Sequence, residues 1–265
     1  MTCYNRAETT VTSLEHLFAC QLPADTDISV YLVDDASADR TGDIVHQRFP
    51  EVEVIAGSGS LYWCGGMRVA WERAAREPRH ESFVWLNDDT RLFPDGLITL
   101  ANTVREVRNR TGREGIVVGA TQDPVTKRTS YGALSADARE PDGQATPFAD
   151  NETINGNVVW VPRAVWHELG NLSPYYTHAM GDTDYGLRAR QRSIPVWLTP
   201  SHVGTCRTNT SQSWRNPSLS VLARLRALHS PKGCRPSEYV HIVRLMYPRT
   251  WPLHLLNLYR RVVFP

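Results

Sequence analysis

The 265-residue chain has no apolar run near the ~20 residues needed to cross a bilayer. Its opening, MTCYNRAETT, holds no apolar stretch of signal-peptide length, so a cytoplasmic chain is expected. Its five cysteines (Cys3, Cys20, Cys64, Cys206, Cys234) are odd in number, scattered and without a C-x-x-C pair. That pattern excludes a disulfide framework and a zinc site, and predicts reduced, mostly buried thiols. No G-x-x-x-x-G-K-[ST] is present, and no G-x-G-x-x-G follows the first strand, which argues against P-loop hydrolysis and dinucleotide redox chemistry. Lysine is nearly absent: Lys127 and Lys232 are the only two, and every other base is arginine. A net charge of +1 with 41% hydrophobic residues excludes disorder, collagen and coiled coil, and there is no internal repeat.

The small net charge hides an asymmetry. Residues 214–265 carry nine Lys or Arg against one acid, Glu238, so the body of the chain is acidic and its tail basic. Through residue 120, short apolar runs (28–33, 52–56, 82–86, 115–120) alternate with helical patterns (39–48, 65–77, 94–110). This alternation predicts β-α-β units around a largely parallel sheet. Further on, the pattern predicts a hairpin at 127–132, strands at 158–161 and 196–199, and helices at 162–168 and 182–192. Helices at 219–228, 237–246 and 251–263 make up the tail. Tyr239, Ile242, Val243 and Met246 mark one apolar helix face there, and Leu253, Leu255, Leu256, Leu258, Val262 and Val263 mark a second. Arginines lie nearby, so these helices suit either docking on the body or an anionic membrane interface. No nucleic-acid recognition fold is evident.

In an open α/β sheet, ligands lie beyond the carboxyl ends of the strands. Asp34-Asp35 and Asn87-Asp88-Asp89 both fall there, at topologically related positions. One such cluster alone is as readily a helix cap, but two argue for a site. Hard carboxylate oxygens suit Mg²⁺ or Mn²⁺, whose shell is usually completed by phosphates, which implies a nucleoside diphosphate. Gly65 and Gly66 open the 65–77 helix, and the glycine-rich segment Gly57–Arg68 that leads into it could approach phosphate oxygens closely. Asp182 falls in the first turn of its helix, where it is either a cap or a general base. His178 and the aromatics Trp160, Trp166, Tyr175 and Tyr176 are read mainly as packing residues.

The ordered set Thr2-Cys3-Tyr4-Asn5-Arg6, Val33-Asp34-Asp35-Ala36-Ser37, Gly65-Gly66-Met67-Arg68, Leu86-Asn87-Asp88-Asp89-Thr90, Gly156-Asn157 and Gly181-Asp182-Thr183-Asp184 resembles a family 2 glycosyltransferase. The likeness is greatest to the bacterial rhamnosyltransferase-like branch and extends into the tail at Ser230-Pro231-Lys232-Gly233. It implies an α/β, GT-A fold: a Rossmann-like, mostly parallel central sheet with flanking helices, plus a helical C-terminal extension. Residues 1–213 would form the GT-A domain, with a nucleotide-sugar half (1–120) and an acceptor and base half (121–213), and 214–265 the extension.

By the same resemblance, Thr2, Tyr4, Asn5, Arg6 and Asp35 would line the nucleobase pocket, with Asp34 ordering the turn. Gly65, Gly66, Arg68, Asn87 and Asp88 would face the donor. Asp89 would ligate Mn²⁺ or Mg²⁺, with His202 as a second candidate ligand, and Asp182 would be the inverting base with Asp184 its competitor. Asn87 and Gly181 depart from the family's usual acids, and relatives carry an apolar strand before the Thr-x-Tyr-Asn-Arg loop. The implied activity is transfer of a dTDP- or UDP-linked sugar to a glycan or lipid-linked acceptor, with contact to the inner face of the membrane and oligomer formation left open. A sugar nucleotidyltransferase and an inactive sugar-nucleotide or glycan-binding module are the alternatives.

Overall fold

The structure is a computed structural model that describes residues 1–134, 139–150, 152–208 and 213–265. It runs β1 (Thr2–Cys3), α1 (Ala7–Phe18), β2 (Val30–Asp34), α2 (Thr41–Arg48), β3 (Val52–Ala56), α3 (Tyr62–Ala75) and β4 (Ser82–Leu86). Then come β5 (Arg91–Leu92), α4 (Gly96–Thr111), β6 (Ile116–Gln122), β7 (Thr129–Tyr131), β8 (Ala133–Leu134), β9 (Thr146–Pro147) and β10 (Thr153–Ile154). β11 (Val158–Pro162), α5 (Arg163–Leu169), α6 (Gly181–Gln191) and β12 (Val196–Thr205) complete the body. A 3₁₀ turn (Ser213–Arg215), α7 (Val221–His229), α8 (Pro236–Met246) and α9 (Trp251–Val263) form the tail.

The continuous apolar runs become strands covered on both faces: Leu32 and Val33 of β2, and Ile116, Val117 and Val118 of β6, are all fully buried. On one side α1 contributes Val11, Leu14 and Leu17, and α4 contributes Leu97, Leu100 and Val107. On the other, α3 brings Met67 and Trp71 and α6 brings Tyr185 against Phe83, Trp85 and Val159. These spacings follow the helical period, so each helix buries one stripe. α4 ends at Gly112, whose φ of +70° provides the left-handed turn that closes it.

β1, β2 and β3 pair in parallel, while a second sheet runs β4-β11-β6-β12-β5, with β7 on β6 and β9 on β12. Within it β6 and β12 are parallel, and β11 runs antiparallel to both β4 and β6. Parallel pairing thus holds where β-α-β crossovers supply it, and the 158–162 strand returns against that direction. The hairpin expected at 127–132 is instead β7 returning against β6, and two boundaries differ from the sequence expectation by three residues or more. The strand expected at 196–199 continues to Thr205, because shifts of register around His202 let the ladder pass Pro200. The helix expected from Gly65 starts at Tyr62, which places both glycines inside it.

The tail docks on the body. Ile242 and Val243 of α8 pack with Cys64, Tyr176 and Leu187, and Thr177 donates to the buried Glu238 carboxylate at 2.9 Å. Leu258 and Val262 of α9 close a smaller core with Trp214 and Leu228. Four of the cysteines are buried, Cys234 is half-buried, and all five are free thiols. No helix among the described residues is long and apolar enough to cross a membrane.

Candidate active site

The carboxyl ends of β1, β2 and β4 meet the start of α3 and the loop leading into α6. Asp34 accepts from the Ser37 and Gly42 backbone N–H groups, both at 3.1 Å, and so orders the turn after β2. Asn5, in the left-handed region that asparagine tolerates, accepts from Ala38 N–H at 2.7 Å and holds the β1 loop against that turn. Asp35 is buried and accepts from Gly59, Leu61 and Tyr62 N–H at 2.7, 2.9 and 3.0 Å. Most of its acceptor capacity therefore shapes the loop entering α3.

The Asn87-Asp88-Asp89 motif divides its work three ways. The Asn87 side chain accepts from the Trp63 indole at 2.7 Å and is thereby fixed to α3. Asp88 is buried, which pushes its carboxyl up to about 6 against the opposing pull of Arg6. Asp89 is the more exposed acid. The Arg6 guanidinium lies across both, 3.2 Å from Asp88 and 2.9 Å from Asp89, so a cation already occupies the mouth of this acidic pair. Cys206, at the end of β12, donates from Sγ to Asp89 at 3.5 Å, and burial together with Asp89 pushes its thiol up to about 12.

Asp182 belongs to the same neighbourhood. Its carboxylate accepts from Gly156 and Thr183 N–H, both at 2.8 Å, and burial holds its pKa above the ordinary carboxylate value. Gly156 has no room for a side chain: a Cβ there would come within 2.9 Å of both Asp182 and the Trp63 ring. The chain of contacts Asp88/Asp89, Asn87, Trp63, Gly156, Asp182 therefore joins the acidic motif to the buried acid. Asp184 is engaged elsewhere, in an ion pair with Arg188 at 2.8 Å and a contact from the Tyr176 hydroxyl.

Four expected site residues lie away from this centre. His202 meets Thr129 at 2.8 Å and Glu140 at 3.6 Å, because the shift of register around Pro200 turns it toward β7, and Cys206 is the β12-end side chain that reaches Asp89. Arg68 points to the Ser173 carbonyl and lines a separate cavity of about 820 Å³ with Asp184, Arg188 and His241. Gly65 and Gly66 are buried in α3, where a Cβ on Gly66 would fall 2.1 Å from the Thr2 hydroxyl, so Gly66 permits close packing of α3 on β1. Among the described residues no cluster of three or more His, Cys, Asp or Glu side chains forms a metal centre. The donor set still fits a hard divalent ion that draws most of its shell from phosphate, since Asp89 offers a carboxylate already facing a cation.

Backbone strain gathers here. Of eight non-glycine residues with positive φ among the described residues, Asn5, Ala36, Arg40, Tyr62 and Met180 all belong to the loops and helix starts around these acids. Such conformations cost on the order of 1–3 kcal/mol each and are characteristic of functional loops. Trp63, Gly156, Asn157 and Cys206 are the neighbours absent from the sequence-based site. Only Gly156 and Asn157 carried a signal, as an ordered motif, and Asn157 proves buried, accepting from Thr90 at 2.5 Å.

Residues 1–131 match the family model described as Glycosyl transferase family 2. The fold is GT-A. The fold is shared with mannosyltransferase PcManGT from Pyrobaculum calidifontis, in complex with GDP-Man and Mn²⁺, at TM-score 0.58 and 16% identity, over 99% of this chain and 71% of that one. It is shared also with S. aureus TarS 1-349, at TM-score 0.61 and 12% identity, over 99% and 86% of the two chains. The same TarS fragment in complex with UDP-GlcNAc gives TM-score 0.60 at 12% identity, over 90% and 65%. At these identities the likeness is one of fold. No curated protein matches the chain in sequence.

Proposed function

We propose that the chain is an inverting glycosyltransferase that moves a sugar, in the manner of the rhamnosyltransferase-like branch, from a dTDP- or UDP-linked donor to a glycan or lipid-linked hydroxyl in cell-surface polysaccharide assembly. Residues 1–213 form its GT-A domain and 214–265 its helical extension. The carrying observation is the contact path that joins Asp182 to the Asp88/Asp89 pair. An acid with a raised pKa next to a donor site is suited to general-base work. In this reading the Asp182 carboxylate takes the proton of the acceptor hydroxyl. The acceptor oxygen attacks the anomeric carbon opposite the nucleotide, the bond to the leaving diphosphate breaks, and the configuration inverts. Asp184 is excluded from that role in this proposal by its pair with Arg188.

Asp89 would hold Mn²⁺ or Mg²⁺, which when bound supplies neutralisation of diphosphate charge. The loops of Thr2, Tyr4, Asn5 and Asp35 would bound the nucleobase pocket, and Arg6 would exchange its acidic partners for the donor's anionic oxygens. Calorimetry of UDP, dTDP and GDP with and without Mn²⁺ tests the reading. One nucleotide should bind in a metal-dependent way, and Asp89→Ala should remove that dependence; absence of binding by all three would overturn the assignment.

The tail supports the membrane part of the proposal. α9 is apolar on its outer side as well as its inner: Leu253 and Leu256 are 66% and 68% exposed, and Phe264, just past its end, is 74% exposed. Arg224 donates to the Val263 carbonyl and Tyr259 meets His229, so α7 lies alongside and adds exposed Leu222 and Arg226. The one acid of the tail, Glu238, is buried, leaving a surface of leucines and arginines that suits an anionic lipid interface. Vesicles containing phosphatidylglycerol should co-sediment the protein and neutral phosphatidylcholine vesicles should not. Leu253→Ser with Leu256→Ser should release it, and retention by that variant would defeat the membrane role.

A further inference from the structure

The C-terminal extension also reaches the nucleotide side of the body. Lys232 stands on the Ser230–Gly233 turn between α7 and α8, and its ammonium lies 5.9 Å from the centre of the Tyr4 ring. It is close enough to His178 that its charge, with that of Arg6, adds to burial in lowering the imidazole pKa. Lys232 thus stands by Tyr4 and His178, and Tyr4 is two residues before the Arg6 that pairs with Asp88 and Asp89. Arg6 is already paired with those acids, whereas Lys232 is exposed and no carboxylate among the described residues pairs with it.

The turn that presents Lys232 is fixed. Ser230 Oγ donates to the Ala227 carbonyl at 2.7 Å, and Gly233 N–H donates to the Ser230 carbonyl at 2.9 Å. A side chain on Gly233 would collide with the carbonyl oxygens at the end of α7, 2.0 and 2.6 Å away, so the turn depends on that glycine. Just beyond it, Arg235 donates to the Thr177 hydroxyl at 3.0 Å, and Thr177 donates to Glu238. The turn is thus tied to the loop that carries His178 and leads to Asp182. The residue type adds to the argument: in a chain whose cations are otherwise arginine, a compact point charge stands at the site mouth.

We propose that Lys232 is a donor-binding residue whose ammonium contacts the diphosphate, so that the C-terminal extension completes the nucleotide site. This rests on the donor reading above. An exposed ammonium beside the loop that carries Arg6, with no carboxylate paired to it among the described residues, recognises a dianionic or trianionic group by charge and N–H donation.

Competition calorimetry with Mn²⁺ would compare a nucleoside, its monophosphate and its diphosphate, taking whichever of the uridine, thymidine and guanosine series the protein binds. In the parent protein the phosphates should add strongly to affinity. In Lys232→Gln that gain should shrink about tenfold, the scale of one charge-assisted hydrogen bond, with nucleoside binding unchanged. Lys232→Arg should restore part of the gain, and Arg249→Gln, which removes a tail charge away from the turn, should leave it whole. An undiminished gain in Lys232→Gln would overturn the inference while leaving the donor reading intact, as would an equal loss in Arg249→Gln. No binding of any diphosphate to the parent protein would instead overturn the donor reading and this inference with it.

Discussion

Asp182→Asn is expected to lower sugar transfer by about 10³-fold while nucleotide binding stays at the parent level, since a positioned general base contributes ~10²–10⁴. The acceptor hydroxyl needs a carboxylate beside it to take its proton, and the amide cannot. The same carboxylate anchors two backbone N–H groups, from Gly156 and Thr183. The amide oxygen retains one of these contacts fully, so a modest loss of thermal stability accompanies the loss of rate and is read separately by calorimetric unfolding. The pH profile is the second readout. Burial raises the Asp182 pKa, and the base works only when ionised, so the parent rate should climb with pH through that raised value. The residual rate of the variant should lack this limb. Asp184→Asn should behave in the opposite way: it breaks the pair with Arg188, costing stability, and retains the pH limb. Normal turnover in Asp182→Asn would remove the proposed base.

Trp85→Ala should reduce stability by about 3–5 kcal/mol, the range for deleting a buried tryptophan, and lower the melting temperature by ~10 °C for a chain of this size. Trp85 is 1% exposed on β4 and meets Trp71, Trp63 and Tyr185 with ring centroids 5.1, 6.4 and 5.1 Å away. It is the common support of three site elements. Trp63 fixes Asn87, Tyr185 belongs to the helix that carries Asp182, and β4 itself ends at the acidic motif. Activity should therefore fall in Trp85→Ala even at temperatures where the fold persists. Trp85→Phe is expected to be far milder. The Trp85 indole N–H is buried without a hydrogen-bond partner among the described residues, so phenylalanine forfeits volume and contact but no hydrogen bond seen there. Thermal and denaturant unfolding of the two variants side by side would measure this difference; similar losses in both would contradict it.

The β-α-β alternation of the first 120 residues was legible because buried parallel strands are continuous apolar runs and the covering helices bury one stripe each. The acid clusters after 28–33 and 82–86 were legible for a related reason, that chemistry collects where strands end. Cys206 was missed because Pro200 reads as the end of a strand, while the register shifts that carry β12 past it depend on pairing with β6. His202 followed the same error in the other direction. Arg68 was assigned to the donor from its motif, yet one turn of α3 beyond Gly65 its side chain meets the 171–174 loop. Sequence spacing fixes a helical face, and only the packing of that helix on β1 sets where the face points.

Local order therefore determined a good deal of this protein: strand and helix positions, the acids at strand ends, the unequal charge of body and tail, and the reduced state of its thiols. The tertiary structure decided which carboxylate is free and which is paired. It set Asp182 beside Gly156 and Trp63, locked Asp184 onto Arg188, drew Arg6 across Asp88 and Asp89, and brought Lys232 from the far end of the chain to Tyr4. The physical reason is range. Hydrophobic period and capping act over a few residues and are written along the chain, whereas burial, pKa and ion pairing depend on groups dozens to hundreds of positions apart, whose distances exist only once the layers have packed.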